Sequence, residues 1–117
     1  MNKETITEML KRFNSRSKVT ADGVEYWQAR ELMVVLGYNN WRSFENVISK
    51  AIIACETTGY DVENYFISTY KEALLGKSGI RNVSDYMLTR YACYLIAQNG
   101  DSKKDEIAFA QSYFALQ

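Results

Sequence analysis

Phe66-Ile67-Ser68-Thr69-Tyr70 and Val83-Ser84-Asp85-Tyr86-Met87-Leu88, with Gly76-Lys77-Ser78-Gly79 between them, decide the fold class. Both outer runs are rich in β-branched and aromatic residues, and the glycine-containing stretch supplies a turn. Together they predict two antiparallel strands joined by a long hairpin. Gly76-Lys77-Ser78 has the ending of a phosphate-binding loop. That motif needs a glycine five residues earlier, where this chain has Lys71. The segment is therefore read as a basic hairpin tip.

Helical periodicity surrounds this pair. A first helix is expected from about Glu4 to Asn14, with Ile6, Met9, Leu10 and Phe13 on one face. Ala21-Asp22-Gly23 reads as a turn into a short strand at Val24-Glu25-Tyr26-Trp27. A second helix, Ala29 to Leu36, is stopped by Gly37. Asn40 is placed to cap a third, in which Trp41, Phe44, Val47, Ile48, Ala51, Ile52 and Cys55 recur at spacings of three and four until Gly59. Asp61 reads as the cap of a short helical turn reaching Tyr65. Thr89 caps a helix of Tyr91, Ala92, Leu95 and Ile96, closed by Asn99-Gly100. Ser102-Lys103-Lys104-Asp105 resembles a capping box for a last helix through Ile107, Ala110, Tyr113 and Phe114, which the pattern carries to Gln117. The expectation is an α+β fold, one small domain of about five helices packed on a short antiparallel sheet, with a helix-turn-helix-like segment. That domain is expected to fill residues 1–117 as the N-terminal fragment of a longer protein.

Composition agrees with a globular chain and removes several chemistries. The 117 residues are 47% hydrophobic and 24% charged, without proline or a linker-like stretch. No apolar run approaches the ~18 residues of a membrane span, and the acid near the N-terminus does not suit a signal peptide. The absence of histidine removes Ser-His-Asp and Cys-His catalysis and histidine zinc sites. Cys55 and Cys93 lie on apolar helical faces and read as buried free thiols of a cytoplasmic protein. Asp101, Asp105 and Glu106 are interleaved with Lys103 and Lys104 and read as helix-start carboxylates rather than metal ligands. No cofactor, no metal and no enzymatic activity is expected.

The formal charge is zero, 14 basic against 14 acidic residues, yet its distribution is uneven. Residues 1–18 carry Lys3, Lys11, Arg12, Arg16 and Lys18 against Glu4 and Glu8, and residues 71–81 carry Lys71, Lys77 and Arg81 against Glu72. The stretch from Cys55 to Tyr65 is acidic. A DNA-binding module covers only ~600–1,000 Å², so a neutral chain can hold a basic face. The Ala29–Lys50 segment matches a short helix, a turn and a longer helix, the order of a helix-turn-helix unit. Arg42, Glu45, Asn46, Ser49 and Lys50 lie opposite the apolar stripe, and Arg and Asn can bond base edges bidentately. Asn39 and Asn40 sit at the N-terminal end of that helix, where free amides favour a phosphate. The expected DNA-facing residues are Asn39, Asn40, Arg42, Asn46 and Lys50, helped by Lys77, Arg81 and Arg90.

Two stretches carry a family resemblance. Tyr26-Trp27-Gln28-Ala29-Arg30-Glu31-Leu32, continued by Val35-Leu36-Gly37-Tyr38 and by Trp41 with Phe44-Glu45-Asn46-Val47-Ile48, resembles the opening of the BRO-N domain of phage antirepressors and baculovirus-repeat proteins. Leu88-Thr89-Arg90-Tyr91-Ala92-Cys93-Tyr94-Leu95-Ile96-Ala97-Gln98-Asn99-Gly100-Asp101, with Glu106 to Phe114, resembles the bacterial DNA-damage-inducible protein D family. The resemblance implies a non-catalytic DNA-binding module of the bacterial SOS response. The alternative it implies is a protein-interaction module acting on a DNA-repair protein such as the strand-exchange recombinase. It brings no catalytic residues.

Overall fold

The computed structural model describes residues 2–74 and 76–116; Gln117, into which the sequence carries the last helix, lies outside them. Among the described residues the elements run α1 (Lys3–Ser15), β1 (Lys18–Val19), β2 (Glu25–Gln28), α2 (Ala29–Val35), α3 (Trp41–Thr57), β3 (Phe66–Leu74), β4 (Ile80–Leu88), α4 (Arg90–Gln98) and α5 (Asp105–Ala115). Short 3₁₀ turns occupy Val62–Asn64 and Gly76–Ser78. This is an α+β arrangement of five helices with an antiparallel sheet of four strands.

The sheet order is β1-β2-β4-β3. Register explains where the core lies. Leu88 of β4 stands opposite Trp27 of β2 on one side and Phe66 of β3 on the other, and all three are buried. Helix α4 packs on α3, α5, β2 and β4, presenting Ala92, Cys93, Ile96 and Ala97. From α3 come Phe44, Val47, Ile48, Ala51 and Cys55, as the three-and-four spacing predicts. Local chemistry sets the helix starts. Asn2 Oδ1 accepts the Thr5 N–H, Asn40 Oδ1 the Ser43 N–H and Thr89 Oγ1 the Ala92 N–H.

Helix α2 begins differently. Gln28 at its cap position makes no side-chain bond. The carboxylate of Asp85, from β4, accepts the Arg30 N–H through Oδ1 at 3.0 Å and so caps the helix from another strand. The helix ends at a turn that only glycine fits. Gly37 has φ +79, and a Cβ there would fall 2.0 Å from Glu106 Oε2. Its carbonyl accepts from Lys104 Nζ, and the buried Tyr38 that follows accepts the Asp101 N–H with its hydroxyl.

Strands β3 and β4 are longer than composition alone suggests and pair from Phe66↔Leu88 to Leu74↔Ile80. Only Phe66, Asp85 and Leu88 among their residues are buried, so the distal two-thirds leaves the body as a two-stranded arm. From Ser68 to Leu74 it rises ~20 Å. The arm lengthens the molecule to 44 Å and its radius of gyration to 14.6 Å, against ~13.4 Å for a compact chain of this length.

Two expected caps are corrected. Asp61 holds the position before the Val62–Asn64 turn but makes no side-chain capping bond. Ser102 does not cap α5: Lys104 holds the cap position without a side-chain bond, and Ser102 Oγ is paired with Gln111 instead. Strand β1 adds an edge strand of two residues, too short for any periodicity to show.

Two outcomes follow from this packing. Trp27 is fully buried, so Trp27→Ala is expected to cost ~3–5 kcal/mol in urea unfolding; a loss below about 1 kcal/mol would contradict its central place. Cys55 and Cys93 are free and buried, and burial raises both thiol pKa values. Neither should react with an alkylating reagent at mildly alkaline pH under native conditions, while the denatured chain consumes two equivalents.

Candidate nucleic-acid interface

The turn at Leu36–Asn40 leads into α3, whose outer face exposes Arg42, Asn46, Ser49 and Lys50. Arg42 and Asn46 are one turn apart on the face opposite Phe44 and Ile48. Asn39 is exposed beside them, whereas Asn40 spends its side-chain oxygen on the Ser43 N–H. The flank of α3 toward the arm carries Trp41 and Glu45. Burial, and then the charge of Glu45, push the Tyr86 hydroxyl pKa upward, which places that carboxylate beside the arm's base.

A second basic surface lies on the other side of α2. Arg12, Ser15 and Arg16 of α1, Arg30, Glu31, Val34 and Val35 of α2, and Lys71 of β3 line a cleft of about 320 Å³. Four cations stand against one carboxylate, and Glu31 is itself engaged by Arg16 and Lys18. Arg12 and Lys71 form no ion pair among the described residues. Arg30 is held rigidly: its backbone N–H bonds Asp85, its Nε donates to the Ser84 carbonyl at 2.8 Å, and its guanidinium lies 4.1 Å from the centroid of the Trp41 ring. Register puts Arg81 on the same face of the arm as Lys71, diagonally across from it. A concave wall in which cations outnumber the one carboxylate concentrates a positive field over the cleft, which scattered surface lysines do not do.

Arg12, Arg16, Arg30 and Lys71 are not legible from sequence as partners in one site. The signal was present in the two basic stretches, residues 1–18 and 71–81, which the fold brings together across α2. Of the residues expected to face DNA, Asn39, Asn40, Arg42, Asn46 and Lys50 fall on or beside α3, Arg81 on the arm and Lys77 in its tip. Arg90 stands apart from both groups. Its Nε and Nη2 donate to the two oxygens of Glu25 at 2.9 and 3.1 Å, and its Nη1 donates to the Tyr113 hydroxyl. Those hydrogen bonds raise the guanidinium's pKa and commit its charge to the contact between α4 and β2.

Among the described residues no three His, Cys, Asp or Glu side chains gather as a metal site, and no helix is long and apolar enough to cross a membrane. The chain is similar to "DNA damage-inducible protein D" of Escherichia coli (strain K12), with 40% identity over 105 residues that take in 90% of this chain and 38% of that protein. No solved structure matches. The model of the BRO family, N-terminal domain, matches residues 15–115, from the last turn of α1 through the arm to the end of α5, and the chain belongs to that family.

Proposed function

We propose that this domain is a non-catalytic DNA-binding module of a bacterial DNA-damage (SOS) response protein working in the cytoplasm. The observation that carries the reading is the basic cleft, where Arg12, Arg16, Arg30 and Lys71 converge on one concave surface. Cations so placed take phosphate oxygens and position a duplex without reading its sequence. Helix α3 then acts as the reading element. Arg42 and Asn46 are the base-edge side chains, Asn39 and Asn40 mark its phosphate-facing end, and Lys50 takes a backbone phosphate. Lys77 and Arg81 extend the phosphate contacts along the arm. Its relative's printed name supports the DNA-damage setting.

A second reading rests on a different surface. Ile6, Leu10, Phe109, Tyr113 and Leu116 line an apolar groove of about 430 Å³ between α1 and α5. This favours a protein-interaction module acting on a recombination or repair protein such as the strand-exchange recombinase.

Titration of single- and double-stranded DNA at several salt concentrations decides between them. About four phosphate contacts give a log–log salt slope of roughly −3 to −4. Arg12→Ala combined with Lys71→Ala should flatten that slope by about two units while leaving the domain folded. Arg42→Ala should weaken binding by ~1–3 kcal/mol and relax base preference, and Lys50→Ala should weaken all sequences alike. Salt-independent binding, or variants of both surfaces that bind like the parent, would move the function to the α1–α5 groove.

A further inference from the structure

An exposed aromatic ring and unpaired acids meet at the C-terminal end of α3. Gly59 reverses the chain there with φ +87, in open space. The Gly59 N–H donates to the Glu56 carbonyl at 3.0 Å and the Tyr60 N–H to the Cys55 carbonyl at 3.2 Å, so the turn has a fixed shape. Tyr60 stands on it, 54% exposed, its ring braced by T-shaped contacts with Tyr65 and Tyr91. Glu56, Asp61 and Glu63 flank the ring, all exposed and in no ion pair among the described residues. No cation occurs from Cys55 to Tyr65. A protruding tyrosine with charge around it has the form of an interface anchor. The basic cleft has the complementary form. Its cations share the wall with Val34, an aliphatic residue that is 58% exposed. The turn cannot reach the cleft of its own chain. Arg30 at the cleft lies over Trp41, the first residue of α3, and the 17 residues of that helix hold the turn ~25 Å away.

We infer that copies of this chain associate head to tail, with the Tyr60 turn of one copy seated in the basic cleft of the next. Tyr60 packs on Val34 among the arginines, and Glu56, Asp61 and Glu63 meet the cations at the rim. A tyrosine ring in that position gains apolar contact and cation–π attraction together. The cleft, about 320 Å³, lies at the small end of ligand pockets, which run from ~300 Å³ upward, and takes one aromatic side chain. The contact is heterologous. Each copy keeps a free turn at one end of the assembly and a free cleft at the other, so the assembly is open-ended. A chain with 14 cations and 14 anions has no net charge to hold its copies apart. The inference goes beyond the DNA reading and does not depend on it. The two share only the cleft, so the association belongs to the protein free of DNA.

Sedimentation of the chain without nucleic acid, over rising protein concentration, tests the contact. At about 0.05 M salt the average mass should climb above the 13.5 kDa of one chain, and it should return toward that mass at about 0.5 M as screening shortens the field. Glu56→Lys with Asp61→Lys reverses the charge of the turn, and Arg12→Glu with Lys71→Glu reverses that of the cleft. All four positions are exposed and outside any ion pair among the described residues, so both variants keep the fold. Each variant alone should associate more than about tenfold more weakly than the parent, because like charges then face each other. Their equimolar mixture should associate again, since each copy carries the surface the other has lost, a recovery that misfolded chains could not give. A parent that keeps the mass of one chain at low salt overturns the inference, as does association that ignores salt. Reversed variants that associate like the parent, or a mixture that stays dissociated, overturn it equally. None of these results touches the DNA reading, because no nucleic acid is present.

Discussion

The indole of Trp27 donates its N–H to the Phe13 carbonyl at 2.9 Å while its ring stacks on the Phe13 ring, with centroids 4.5 Å apart. That contact joins the first helix to the sheet, and the first wall of the cleft descends from it. A buried tryptophan brings a large apolar area and one polar atom that must be satisfied. The end of α1 satisfies it. With Phe13 turned inward, Arg12 and Arg16, four residues apart on one helical face, are turned outward together toward α2. The packing choice and the electrostatic one are therefore the same choice. Arg90 closes the other side of Trp27, with its guanidinium 5.2 Å from the indole centroid and its charge met by Glu25.

Asp85 performs the corresponding task for the arm. Its Oδ1 accepts the N–H groups of Arg30 and Tyr86, whereas its Oδ2 is buried without a partner. Burying a carboxylate oxygen in this way is costly by itself. It is offset here because helix α2 has no capping side chain of its own, and the carboxylate meets one amide of its first turn, that of Arg30. The same residue fixes the direction in which the hairpin leaves the body and holds Arg30 at the mouth of the cleft. Arg30 in turn lies over Trp41, the first residue of α3. One carboxylate thus sets the relation between the arm, the cleft and the exposed helix.

What the sequence disclosed, and what it withheld, follows the range of the interactions. Asn40 and Thr89 cap their helices as their positions imply, because a cap involves residues three apart. The three-and-four repeat of α3 and the strand composition on either side of Gly76–Gly79 are equally local. Ser102 looked like another cap and is not one, since Gln111 of α5 reaches its hydroxyl first. Arg90 is expected from sequence to help hold DNA, because the Glu25 that engages it is 65 positions away. The cleft is the clearest case. Arg12, Arg30 and Lys71 belong to three elements, and only the pairing of β3 with β4 and the Asp85 contact bring the last of them over α2. The two basic stretches announced that the charge was uneven, but not that it would meet.

This distribution bears on how the domain handles a polyanion. A chain with 14 cations and 14 anions presents no net charge at long range, so it gains little steering toward DNA from a distance. Screening confines the field of the cleft to a Debye length of ~8 Å at physiological salt. Within that distance the four cations of the cleft act together, and the acids of residues 56–63 lie on a different segment, at the end of α3 and beyond. A strongly cationic domain would accumulate on any nucleic acid and conceal small differences between sites. A neutral domain with one concave basic surface must be in contact before it is attracted. On the proposed reading, contact depends on shape: whether a duplex can enter beside the arm while its phosphates reach Arg12, Arg16, Arg30 and Lys71. On the proposed DNA reading, charge segregation on a neutral chain therefore favours discrimination by the form of the nucleic acid over affinity for nucleic acid in general.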